Sequence, residues 1–338
     1  MITMQEITAY LSDHVSDPAP KFILMKEILG KDRSSSDYIA AYDELRQSKW
    51  YRELADEQWE DGSWGSFHGD NRREQVGRKI PCTEAAIRRM RELSLPRDDP
   101  MVVRCIKIME TYIQDERYSL ELFPDQVPAQ KHKNKLVKWY FPFMVAAHLN
   151  LIDPENQLLA HFRSIVVDML KESFANGSFN PEIIIRAERD CRIARQMEPG
   201  NAYDLYLLEN SDCMDDDLQD AYLSYIWSGQ ARYVYIPTFT SAIGQVLEDK
   251  SFLDLLTNLE AVSSFSLFPK FATREAYLCL CDETARLIRG DVKLFKSPAG
   301  HTYPCAHISF GRYADSWRDV DARKTDMVLR IARLLVKC

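Results

Sequence analysis

The run Asp212-Cys213-Met214-Asp215-Asp216-Asp217-Leu218-Gln219-Asp220 holds the densest set of side chains in the chain that could do chemistry. Asp216, Asp217 and Asp220 share one face of a helix, because positions three and four apart are neighbours there. Carboxylates in that array are hard oxygen ligands suited to Mg2+. Crowded carboxylates offer a second chemistry: buried together, one keeps its proton at neutral pH and becomes an acid. Asp212, Asp215, Asp216 and Asp217 are the candidates for that catalytic role. A third reading needs no chemistry. Aspartates at a helix start cap exposed amides and suit the helix dipole. Asp215–Asp217 directly precede an apolar pattern of Leu218, Tyr222, Leu223 and Ile226.

Aromatic residues crowd the middle third, among them Tyr203, Tyr206, Tyr225, Tyr235 and Phe239. Ring faces stabilise cations, and Trp139, Tyr140, Tyr222, Trp227 and Tyr233 are the candidates for binding a substrate. Spacing such as Tyr222/Tyr225 serves a core equally well. Zinc-ligand types occur at Asp212-Cys213 and, after Cys279 and Cys281, at His301, Cys305 and His307. That spacing is not diagnostic of a zinc site, and buried Cys with hydrogen-bonded His is the expectation. Arg72, Arg73, Lys131, Lys133 and Lys135 carry charge that suits a diphosphate or a solvated face. His68 is expected on a surface loop.

Helices must position these groups. The chain has 338 residues, 46% hydrophobic and 28% charged, with only 12 glycines, which fits a folded helical protein with a sizeable core. The net charge of −8 argues against nucleic-acid binding. The N-terminus lacks a basic start and an apolar signal core, and Phe141–Ile152 is too short to span a bilayer. A cytoplasmic protein is expected, with peripheral membrane contact left open. Helical spacing marks Thr83–Leu93, Met101–Ile113, Leu136–Leu151, Asn156–Phe174, Pro181–Gln196, Asp216–Trp227, Arg274–Ile288 and Arg323–Val336, among others. No segment alternates as a strand.

Gln58-Trp59-Glu60-Asp61-Gly62-Ser63-Trp64-Gly65 joins two of these helices. Asp-Gly makes a tight turn, because glycine tolerates positive φ. The following Trp buries a large ring, and Gln58 has an amide to bond backbone groups at the helix end. Asn176-Gly177-Ser178-Phe179 is a weaker echo, as a helical-hairpin repeat requires. The segment resembles the QW motif of terpenoid cyclases and their relatives, which share an α/α toroid with protein prenyltransferases. The resemblance implies an all-α chain forming a single α/α toroid over residues 47–338, with residues 1–46 as a helical extension packed on it. In that family the motif braces the toroid and does no chemistry.

The resemblance also implies isoprenoid chemistry through carbocations in an aromatic cavity. Asp216, Asp217 and Asp220 match the D-D-x-x-D spelling of enzymes that use Mg2+ to draw off diphosphate; their second metal motif is absent from the sequence. The toroidal cyclases instead protonate through D-x-D-D, which the registers Asp212/Asp215/Asp216 and Asp215/Asp216/Asp217 each miss by one position. The expected function is thus a terpene cyclase-like enzyme. The alternatives are a non-catalytic toroid binding an apolar ligand or a protein, and a carbohydrate-active α/α barrel using paired carboxylates.

Overall fold

Several helices start where a side chain takes up an orphan amide. Thr3 and Glu6 cap each other's amides, the Ser35 hydroxyl accepts from Tyr38 N, Asn180 accepts from Glu182 N, and Asp319 accepts from Asp321 N. The computed structural model describes residues 2–68, 78–115, 140–190, 199–227, 256, 259–260, 262–271, 274–290, 313–315 and 319–338. Among these it is all-α and holds no strand. The helices are α1 (Met4–His14), α2 (Pro18–Ile23, running into a π turn at Leu24–Ile28), α3 (Ser36–Gln47), α4 (Lys49–Glu57), α5 (Thr83–Glu92), α6 (Pro100–Gln114), α7 (Phe141–Ile152), α8 (Leu159–Ser173), α9 (Pro181–Arg189), α10 (Ala202–Leu208), α11 (Asp216–Trp227), α12 (Phe268–Phe271), α13 (Arg274–Arg289) and α14 (Val320–Leu335). None is long and apolar enough to cross a membrane.

Two kinds of helix alternate along the chain. Nearly every residue of α5, α7 and α10 is buried, as is α14 from Thr325 onward. In α4, α6 and α8 one stripe is buried and the opposite face meets water. The buried α7 packs against α5, α6, α8 and α10, at the centre of this half of the molecule. Its Asn150 donates to the carbonyls of Tyr206 and Glu209 and so satisfies the C-terminal end of α10.

The two ends of the chain meet. α1 packs on α14, and Arg333 of α14 makes paired hydrogen bonds of 2.7 and 2.9 Å to Glu27 in the π turn. The Trp50 indole donates to the carbonyls of Tyr313 and Ala314, whose amides donate in turn to the buried Asp326 carboxylate. Asp315 N donates to Asp17 Oδ2 at 2.9 Å. Ile7, Leu11 and Phe22 from the first 46 residues share one continuous core with Leu329 and Ile331.

Candidate functional site

The Gln58–Gly65 turn sets the geometry from which the site grows. Gln58 Nε2 donates to Gly62 O at 2.9 Å and to Met101 O at 3.0 Å, while its Oε1 accepts from Arg104. The end of α4 is thereby tied to the first turns of α6. Gly62 has φ +97°, and a Cβ there would sit 2.4 Å from the Arg104 carbonyl oxygen, so no side chain fits. The fully buried Trp64 donates its indole N–H to Leu54 O, and its amide donates to Thr83 Oγ1. The echo repeats the turn. Gly177 N donates to Phe174 O as Gly62 N does to Trp59 O, and the Phe179 ring lies tilted against Tyr225 at 4.5 Å.

The bend after Trp64 then supports the start of α5. Carbonyls of Ser66 and Phe67 accept from the amides of Thr83 and Glu84, the first-turn donors that no side chain caps. This fixes Glu84 and, one turn on, Arg88 (4% exposed) inside the molecule. Glu84 Oε2 lies 2.9 Å from His68 Nδ1, and its Oε1 lies 3.5 Å from Arg88 Nη2. His68 is therefore no surface residue: its side chain is 11% exposed and pinned to a buried acid. Burial alone would push the Glu84 carboxyl up. The hydrogen bond from His68 and the charges of Arg88, His68 and His148 overturn that and hold it at about 2.

Helices α7 and α10 complete the cluster. His148, wholly buried on α7, donates Nδ1–H to Met144 O at 2.9 Å. Its ring lies 5.5 Å from Phe67, 5.7 Å from Tyr203 and 5.6 Å from Tyr206. Burial raises both tyrosine hydroxyls far enough to keep them protonated at neutral pH. Arg88 Nε is buried with no hydrogen-bond partner.

Next to Tyr203 on α10 stands Asp204, wholly buried. Its Oδ2 accepts from Tyr222 OH at 2.5 Å and from Gly200 N at 2.8 Å. Its Oδ1 is buried with no partner. Burial drives this carboxyl up to about 7, against the hydrogen bonds from Tyr222 and Gly200. Because Oδ2 already accepts twice, the proton of the neutral acid belongs on Oδ1, where it faces no acceptor. Tyr140 meets Tyr203 edge-on at 6.1 Å.

The acidic run lies elsewhere. Asp212, Asp215, Asp216 and Asp217 are exposed. Asp215 caps α11: its Oδ1 accepts from Leu218 N, and its carbonyl from Gln219 N, both at 2.9 Å. Asp220 pairs with Lys270 at 2.5 Å. Among the described residues no group of three His, Cys, Asp or Glu is placed to hold a metal ion. Trp139, Tyr233, Arg72, Arg73, Lys131, Lys133, Lys135, His301, Cys305 and His307 lie outside the described residues, as does the side chain of Trp227, whose backbone ends α11. An open depression of about 410 Å3 lined by Pro18, Asp43, Glu44 and Gln47 belongs to α2 and α3 and includes no residue of the cluster.

Glu84, Arg88, His148 and Asp204 were not singled out by sequence reasoning. The available signal was their setting: an acid and a base four apart in T-E-A-A-I-R-R-M, a His inside the most apolar helix, and an Asp three residues after Asn201. Comparison with protein-family models, curated proteins and solved structures returned no match.

Proposed function

We propose that the chain is an α/α toroid with terpene cyclase-like chemistry, acting on an isoprenoid through carbocations. Two features support the toroid: fully buried helices alternate with half-exposed ones, and the first and last helices pack together. Buried helices then form the inner ring, and what they carry is the site. The observation that carries the chemistry is Asp204, a wholly buried carboxyl whose Oδ1 has no partner.

An acid that keeps its proton at neutral pH is what a protonation-started cyclisation needs. In that step the Oδ1–H bond breaks and a C–H bond forms at an alkene carbon, leaving a carbocation beside a carboxylate. Tyr222 OH and Gly200 N already donate to Oδ2, so the carboxylate has its hydrogen bonds before it forms. The faces of Tyr140 and Tyr203 supply cation stabilisation nearby. Loss of a proton from a neighbouring carbon back to Asp204 restores the acid.

The test is a product analysis by gas chromatography–mass spectrometry with C10 to C20 prenyl diphosphates and squalene, with and without Mg2+. We expect a cyclic product that forms without Mg2+, keeps its diphosphate where the substrate had one, is lost in Asp204→Asn and persists in Asp216→Ala. A Mg2+-dependent hydrocarbon lost in Asp216→Ala would move the chemistry to the acidic run. The solvent-facing position of that run favours one other reading, a non-catalytic toroid that binds an apolar ligand; absence of turnover on every substrate would select it.

A further inference from the structure

We infer that the Asp204 carboxyl is a pH-sensitive latch: protonated, it holds the turn at Gly200 and helix α11 closed on α10, and ionised, it lets them open. The inference holds whether or not Asp204 takes part in catalysis. Two segments meet on one oxygen. Gly200, in the chain entering α10, gives Oδ2 its N–H at 2.8 Å, and Tyr222 of α11 gives it a hydroxyl at 2.5 Å. Gly200 has φ +90°, which glycine adopts without side-chain strain, so the backbone can swing there. The far end of α10 is fastened independently. Asn150 donates to the carbonyls of Tyr206 and Glu209, and Arg163 to that of Leu207. One end of α10 is thus anchored, and the other carries the latch. Closure suits only the neutral acid. Oδ1 is buried with no partner, so ionisation leaves a carboxylate oxygen without a donor. The charged and titratable groups on the neighbouring elements are engaged elsewhere. His148 of α7 bonds the Met144 carbonyl, and Arg163 of α8 the carbonyls of Leu207 and Pro154. Arg88 and Arg91 of α5 pair with Glu84 and Glu209, and Tyr222 of α11 is already on Oδ2. Hydration is what remains. Because α10 is buried on nearly every side, water reaches Oδ1 when the Gly200 turn and Tyr222 move aside. Burial holds the closed carboxyl at about 7, against an ordinary 3.8 once hydrated, so the closed form loses ground as pH rises from about 4 through 7.

The experiment is hydrogen–deuterium exchange of the full chain from about pH 5 to 8.5, read by mass spectrometry and corrected for the intrinsic pH dependence of amide exchange. We expect residues 199–208 and 216–227 to exchange faster than α7 at neutral pH. Their opening constant should rise about tenfold per pH unit from about pH 5 to 7 and level off above that. Asp204→Asn should flatten the rise. Tyr222→Phe keeps the acid and removes a hydrogen bond that lowers it, so the rise should continue above pH 7. That variant carries the test should Asp204→Asn fail to fold. Exchange of both segments at the rate of α7 at every pH would mean that only the whole molecule opens, and overturns the inference. A native profile that stays flat from about pH 5 to 7 overturns it as well. Neither result touches the cyclase reading, which the product analysis decides on its own.

Discussion

Two buried carboxyls, Glu84 and Asp204, have the same burial and opposite fates. Glu84 has cations around it and falls to about 2; Asp204 has only hydrogen bonds against its desolvation and rises to about 7. Their effects on stability have opposite signs. Glu84 is depressed below its ordinary 4.5, so its contribution is complete above about pH 4.5 and is lost as pH falls towards 2. The total is on the order of 3 kcal/mol. Asp204 is raised above its ordinary 3.8, so stability is lost as pH rises from about 4 through 7, by an amount on the order of 4 kcal/mol. Urea unfolding from pH 3 to 9 should therefore show a maximum near pH 4 to 5. Asp204→Asn should flatten the alkaline limb and be more stable than the native chain at pH 8. An unchanged alkaline limb in that variant would exclude the raised carboxyl. A residue whose removal stabilises the protein is one retained for something other than the fold, which is how buried acids behave at functional sites.

At the scale of elements, the helices were largely legible and their surroundings were not. Periodicity places α5, α6, α11 and α13 to within about two residues, because each carries a regular apolar stripe. The segment Ala202–Leu208 was missed as a helix; seven residues, almost all buried, show no polar face and hence no period. Burial on every side also hid the site, since an acid in a helix's first turn and an arginine one turn on carry no signal of burial in the sequence of α5. The acidic run carries two readings in sequence, chemistry and a helix start. Three consecutive aspartates look like chemistry, yet Asp215 is the cap of α11 and Asp216 and Asp217 are its exposed first turn. Asp215→Ala should then cost about 1 kcal/mol in urea unfolding. Asp216→Asn and Asp217→Asn should each cost only a few tenths, the size of a helix-dipole effect at an exposed site. If Asp216→Asn cost more than Asp215→Ala, the first-turn assignment would fall and Asp216 would need a partner of its own.

Over the whole molecule, one arrangement goes beyond what helices alone require: the chain returns to its start. The contacts that bring the two ends together join positions with no sequence relation, so the Gln58–Gly65 segment could not name them. In the structure they join Trp50 to Tyr313, Asp17 to Asp315 and Glu27 to Arg333, the last across 306 positions. A helical protein built only from neighbouring hairpins has mostly local contacts. Here the two ends unfold together if these contacts hold, since α1 and the π turn both pack on α14. The Glu27–Arg333 pair tests this. Both side chains are about one-fifth exposed, so each single change, Glu27→Gln or Arg333→Gln, should cost about 2 kcal/mol rather than the larger penalty of a fully buried pair. The double variant should cost clearly less than the sum, with a coupling of about 1 kcal/mol or more. Additivity within about 0.3 kcal/mol would mean that the ends do not sense one another and that residues 1–46 are a detachable extension. Coupling makes them part of one cooperative unit, for a cause visible in the core: α1 packs on α14, and Ile7, Leu11 and Phe22 belong to the same buried cluster as its inner face.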